Sequence, residues 1–76
     1  MYAKIVLDAA RALDLLDSGG QLAPLDSLMV VDFITEIEGS TSLRFRADDV
    51  HWKNFASLES IVALLEAISQ REEPRG

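Results

Sequence analysis

The chain has 76 residues, 49% of them hydrophobic, and carries seven Lys and Arg against thirteen Asp and Glu for a net charge of −6. That length is one small domain, 1–76, with no room for a second domain or a deep catalytic cleft. The apolar content supports a packed core rather than a disordered chain, and the acidic balance argues against nucleic acid and anionic membranes, whose affinity rests on Lys and Arg at phosphates. Basic protein partners are the complementary match.

There are no cysteines, hence no disulfide framework and no thiolate metal site. A secreted domain this small would ordinarily need such staples, so a reducing cytoplasm is expected. Residues 1–8 hold no apolar run of signal-peptide type, and nothing approaches the length of a membrane span.

The first predicted helix covers 2–17, with Ile5, Ala9, Ala12, Leu13 and Leu16 at helical spacing. Ser18-Gly19-Gly20 is its expected stop, since glycine readily takes the left-handed conformation that closes a helix. Pro24 holds Ala23 out of the helical region, so the next helix is placed at 26–38. Val30, Phe33, Ile34 and Ile37 form its apolar stripe, Asp26 is its expected N-cap, and Gly39-Ser40 its expected end.

From Thr41 to Asn54 the pattern weakens. Leu43, Phe45, Val50 and Trp52 read as apolar anchors in a loop, with one short helical turn over 48–52. The last predicted helix, 57–69, starts at Ser57 as N-cap and buries Leu58, Ile61, Val62, Leu65 and Ile68. Trp52 and Phe55 read as caps over the core below it, with a space for a short acyl chain as the alternative. The tail 70–76 is expected to fray. The sum is an all-α bundle of three main helices plus one short helix.

Ser27 is placed at the first turn of the second helix, where free amides and a partial positive charge favour an anion such as a phosphodiester. Leu28 and Val31 fall off that helix's buried stripe and share another face with Asp32, Thr35 and Glu38. An outward face mixing apolar and acidic residues reads as a docking surface; otherwise Leu28 packs under the connector and Val31 is an ordinary exposed valine. His51, the single histidine, lies near Asp48 and Asp49 but lacks the further ligands of a metal site. Ser27, His51 and Asp49 lack the nucleophile elbow and the cleft of a hydrolase triad. The chain is therefore not read as an enzyme. Glu36 with Glu38, and Glu72 with Glu73, read as solvated charge.

Asp26-Ser27-Leu28, the acids at Asp32 and Glu38, the loop with its short helix, and a final helix led by Phe55-Ala56-Ser57-Leu58 together resemble the acyl carrier and peptidyl carrier proteins. The resemblance spans roughly residues 22–68. It implies that Ser27 carries 4′-phosphopantetheine, placed there by a phosphopantetheinyl transferase, with Asp26 and Leu28 flanking the attachment site. It further implies that acyl or aminoacyl cargo rides as a thioester on a monomer. A loading ligase or transferase and downstream synthases are the partners it implies, meeting the chain at Leu28, Val31, Asp32, Thr35 and Glu38.

The chain departs from that pattern. Pro24 and Leu25 stand where such carriers approach the serine through a glycine, the connector from Gly20 to Asp26 reads as short, and Arg44 and Arg46 dilute the acidity after the helix. These departures point to a specialised pathway of polyketide, nonribosomal peptide or aminoacyl transfer type. The alternative from a different class is an unmodified helical interaction module in which Ser27 only helps to start a helix.

Overall fold

The computed structural model describes residues 2–71, and they form an all-α bundle. Its helices are α1 (Ala3–Ala12), α2 (Ser27–Thr41) and α3 (Leu58–Arg71), with two 3-10 turns, Ala47–Asp49 and Trp52–Phe55, between α2 and α3. α1 packs against both α2 and α3, and α3 also packs against the second 3-10 turn. Val6, Ala9, Ala10, Leu15, Phe33, Ile37, Phe55, Ile61, Leu65 and Ile68 form one buried cluster.

α1 ends at Ala12, well short of the expected 17, and the glycines at 19 and 20 are not what stops it. Asp14 takes the left-handed conformation at φ 58°. The Leu15 amide then donates to the Ala10 carbonyl at 2.8 Å and the Asp14 amide to the Arg11 carbonyl at 3.1 Å. This pair of bonds is a Schellman closure, with aspartate in the place glycine normally takes. A left-handed residue with a side chain costs about 1 kcal/mol, and here the turn carries Leu15 into the core. The buried face of α1 is accordingly Val6, Ala9 and Ala10, not the expected stripe, of which Ala9 alone is buried; Ala12 is exposed and Ile5, Leu13 and Leu16 are half-buried.

Because α1 stops early, the connector to α2 runs over 13–26 and is not short. It is tied into one shape by its own bonds. Leu16 and Leu22 meet in an antiparallel bridge, the Asp17 carboxylate accepts from the Gly19 and Gln21 amides at 2.9 and 3.0 Å, and the Ala23 amide donates to the Leu15 carbonyl at 2.9 Å. Gly20 has φ 80°, a region that glycine enters without a steric penalty.

α2 starts where the sequence places it and runs through Gly39 and Ser40 to Thr41. Its closure lies at Ser42, left-handed with φ 67°, whose amide donates to the Glu38 carbonyl at 3.1 Å. The Thr41 hydroxyl bridges the end, donating to the Ile37 carbonyl at 2.8 Å and accepting from the Leu43 amide at 3.1 Å. Phe33 and Ile37 are buried while Val30 and Ile34 are half-buried, so the expected stripe is the inner face.

Two 3-10 turns replace the expected single turn over 48–52. α3 begins after Ser57, whose hydroxyl oxygen accepts from the Ser60 amide at 3.1 Å in N-cap fashion. Ile61, Leu65 and Ile68 are buried along it, with Leu58 and Val62 half-buried. The helix continues through Gln70 and Arg71, the first residues of the expected frayed tail; 72–76 lie outside the described residues. Among the described residues, no helix is long and apolar enough to cross a membrane.

Candidate functional site

The site is built at the first turn of α2. Asp26 has extended backbone, and its side chain accepts from the Met29 amide at 2.9 Å. The Val30 amide is taken by the Asp26 carbonyl at 3.0 Å. The Ser27 and Leu28 amides come before Val30, the first amide with an intrahelical acceptor, so they are left at the helix start as free donors. Ser27 is the first helical residue and is exposed.

The residues beyond the serine turn outward. Leu28 is 75% exposed and Val31 57% exposed, so Leu28 does not pack under the connector. Met29, 40% exposed, joins them; the helical repeat gives no signal for it, because it lies about 100° around the helix from Leu28. Asp32 and Thr35 are exposed on the same side, and the Thr35 hydroxyl donates to the Val31 carbonyl at 2.9 Å.

Glu38 belongs to a different environment from the rest of the expected docking face. It is half-buried, and its Oε2 accepts from the Phe45 amide at 2.8 Å, tying the loop after α2 back onto the helix. It is therefore not solvated charge. Glu36 is exposed.

Val50 and Trp52 are not core anchors. They are 48% and 73% exposed, whereas Phe55 is buried and stacks with Phe45 at a ring-centroid distance of 6.4 Å. Trp52 lies beside His51, with centroids 6.0 Å apart, and Lys53 Nζ lies 5.7 Å from the Trp52 ring centroid. His51 is exposed, and its Nδ1 accepts from the Lys53 amide at 3.2 Å.

Across the open side of the site, the connector, the start of α2 and the second 3-10 turn enclose a groove of about 620 Å³, with Ser27 in its wall. Of its lining, the sequence points to Trp52 and Phe55, as core caps or alternatively as walls of a space for a short acyl chain; the share taken by the connector and α2 comes only from the fold.

The wall behind the groove is pinned by Asp49, which the sequence places in the expected turn over 48–52 with no structural role of its own. Its side chain is buried and receives Arg71 from the last turn of α3 together with the Arg46 amide at 2.7 Å. The carbonyl of Asp49 accepts from Asn54 Nδ2 at 2.9 Å, linking the two 3-10 turns. Hydrogen bonding from Arg71 holds the Asp49 carboxyl below its ordinary value.

The arrangement suits covalent attachment. Ser27 presents an accessible hydroxyl at a helix start whose free amides and dipole favour a negatively charged ester, and the adjoining groove offers space for an apolar chain. No family model, curated protein or solved structure matches the chain.

Proposed function

We propose that this chain is a carrier protein, with Ser27 as the attachment point for 4′-phosphopantetheine and with partner enzymes acting on an acyl or aminoacyl group held there. The observation that carries the reading is the exposed Ser27 at the capped first turn of α2, with Leu28, Met29 and Val31 turned outward beside it. When bound, the prosthetic group supplies the thiol that the chain lacks, on which cargo is held as a thioester.

The protein's own residues contribute position and charge rather than chemistry. Asp26 fixes the helix start and so the direction of the Ser27 side chain. The Ser27 and Leu28 amides and the helix dipole favour the phosphodiester. Among the described residues no side chain hydrogen-bonds the Ser27 hydroxyl, so its activation falls to the transferase. Leu28, Met29 and Val31 give a partner enzyme an apolar contact, and Asp32 gives a charged one that orients docking. A pathway of polyketide, nonribosomal peptide or aminoacyl transfer type fits the departures in sequence around Pro24 and Arg44.

The same outward patch would also serve an unmodified helical interaction module, and this second reading needs no modification of the serine. Intact mass after incubation with a phosphopantetheinyl transferase and coenzyme A separates the two. A gain of one phosphopantetheine in the natural chain, lost in Ser27→Ala, is the result expected of a carrier; no gain with transferases of differing specificity sinks that reading in favour of the module.

A further inference from the structure

Among the described residues the exposed large apolar side chains are Leu28, Met29, Val31, Val50 and Trp52. All of them gather on one side. Val31, Val50 and Trp52 border the groove with Ser27, and Leu28 and Met29 share the first turn of α2 with that serine. α1 and α3 contribute none. Single exposed apolar residues are ordinary, but a gathered patch on so small a chain marks a contact surface.

Charge divides across the same face. On the α2 side Asp26 lines the groove, and Asp32 stands exposed on the face of Leu28 and Val31. On the side of the second 3-10 turn, exposed Lys53 lies over the Trp52 ring and His51 lines the groove. Phe45 stacks on Phe55, which brings exposed Arg44 to the side of that turn. Neither Lys53 nor Arg44 enters an ion pair among the described residues, although the chain has thirteen acids.

A partner for this face needs an apolar surface with a cation at one rim and an acid at the other. The face itself meets that description when turned by a two-fold axis through the groove. α2 of each copy then lies over the 3-10 turn of the other, so that Leu28 and Val31 meet Val50 and Trp52 twice, and Asp32 meets Lys53 twice. RNA or an anionic bilayer fits less well, because the net charge of −6 repels a polyanion. A standard interface takes about 800 Å² from each partner, roughly a sixth of the 5122 Å² surface here, so one side is enough.

We propose that two copies pair reciprocally over the groove, and that the pair covers Ser27 so that its hydroxyl is open to modification only in the single chain. This goes beyond the carrier reading and departs from the monomer that the resemblance implies. Pairing and docking by a partner enzyme use one face, so each excludes the other. Like net charges repel at long range, so the pairing is weak and set by concentration.

Sedimentation equilibrium of the natural chain is expected to show a mass rising from one copy toward two, with half pairing near about 0.1 mM. Asp32→Lys and Lys53→Glu each set like charges together at both crossed contacts, and each should weaken pairing roughly tenfold. Their equimolar mixture places opposite charges at both contacts again and should pair like the natural chain. A variant that had merely misfolded would not be rescued in this way. Because the chain has no cysteine, Ser27→Cys supplies a unique thiol. Its alkylation by excess iodoacetamide, followed by intact mass, should slow about fivefold at about 1 mM, in step with the unpaired fraction. With Asp32→Lys added, the slowing should be no more than about twofold.

A single copy at every concentration overturns the proposal and leaves the face to a different protein. Pairing that ignores both charge reversals, or that the mixture fails to restore, also overturns it, since association then lies elsewhere. Unchanged alkylation in a chain that pairs overturns the covering of Ser27. No readout involves phosphopantetheine, so the carrier reading stands or falls separately on its own mass assay.

Discussion

Arg71, in the last turn of α3, grips the carboxylate of Asp49 with both arms of its guanidinium, Nη1 donating to Oδ1 at 3.1 Å and Nη2 to Oδ2 at 2.8 Å across a separation of 22 residues. The Asp49 side chain is 8% exposed and that of Arg71 30%, so the pair is partly shielded from water. It joins the end of the last helix to the segment that carries Val50, Trp52 and Phe55. A fork-to-carboxylate pair of this kind is stronger and more directional than an ordinary surface ion pair, such as the exposed Lys4–Asp8 contact at 3.0 Å.

Asp49→Ala removes the acceptor for Arg71 and for the Arg46 amide together. It is expected to destabilise by about 2–4 kcal/mol, below the full figure for a buried pair because the guanidinium can still reach solvent. Urea unfolding followed by circular dichroism measures this. A change within error of zero would show that the pair does not brace the fold.

Acid should act through the same residue. Its carboxyl is held below the ordinary value of 3.8, first by the hydrogen bond from Arg71, against the opposing effect of burial, with the Arg46 amide and the charges of Arg71 and Arg46 adding to the lowering. The folded carboxyl thus releases its proton more readily than the unfolded one. Its stabilisation is whole above the unfolded value and is lost as the pH falls below it through the folded value. Urea midpoints taken from neutral pH downward should converge for the natural chain and Asp49→Asn at the acid end. A constant gap between them would contradict this.

Gly39 lies inside α2, exposed, and an added Cβ there meets nothing within 4 Å. Gly39→Ala should stabilise by about 0.5–1 kcal/mol, chiefly by restricting the unfolded chain. A raised melting temperature with unchanged helicity is the expected readout. A lowered one would mean that the helix relies on glycine at this point.

Phe33 is fully buried at the centre of the cluster. Phe33→Ala should cost about 3–5 kcal/mol, most of what a domain of this size has to lose. Loss of cooperative thermal unfolding is the expected outcome, and a melting curve like that of the natural chain would show the core repacks freely.

Val31→Asp and Asp32→Lys change exposed positions on the outward face of α2. Each should lower transfer to or from a partner enzyme by roughly tenfold, the equivalent of one contact of about 1.4 kcal/mol, while the helical spectrum stays unchanged. Parallel loss of helicity and transfer would assign these positions to the fold instead.

The start of α2 could be read from residues alone because its signals are local. Pro24 bars an earlier start, Asp26 is a strong cap, and Val30, Phe33, Ile34 and Ile37 repeat at helical spacing. The end of α1 could not, because glycines at 19 and 20 offered a stronger local stop than Asp14. What ends the helix is the gain from turning Leu15 into the core, and that depends on where α2 and α3 lie. Val50 and Trp52 failed as anchors for a similar reason: apolar character states a preference for burial, and only the path of the chain decides whether cover is at hand.

The sequence by itself determined an all-helical chain, the capped start of α2, the exposed serine within it and the inner faces of α2 and α3. Each of these follows from capping chemistry and a repeat that fits within a few turns of backbone. The tertiary structure decided that Glu38 and Asp49 hold loops in place, that Arg71 ends in an ion pair rather than a frayed tail, and that Ser27 borders a groove. These last features join segments far apart along the chain, so they exist only once the helices have packed.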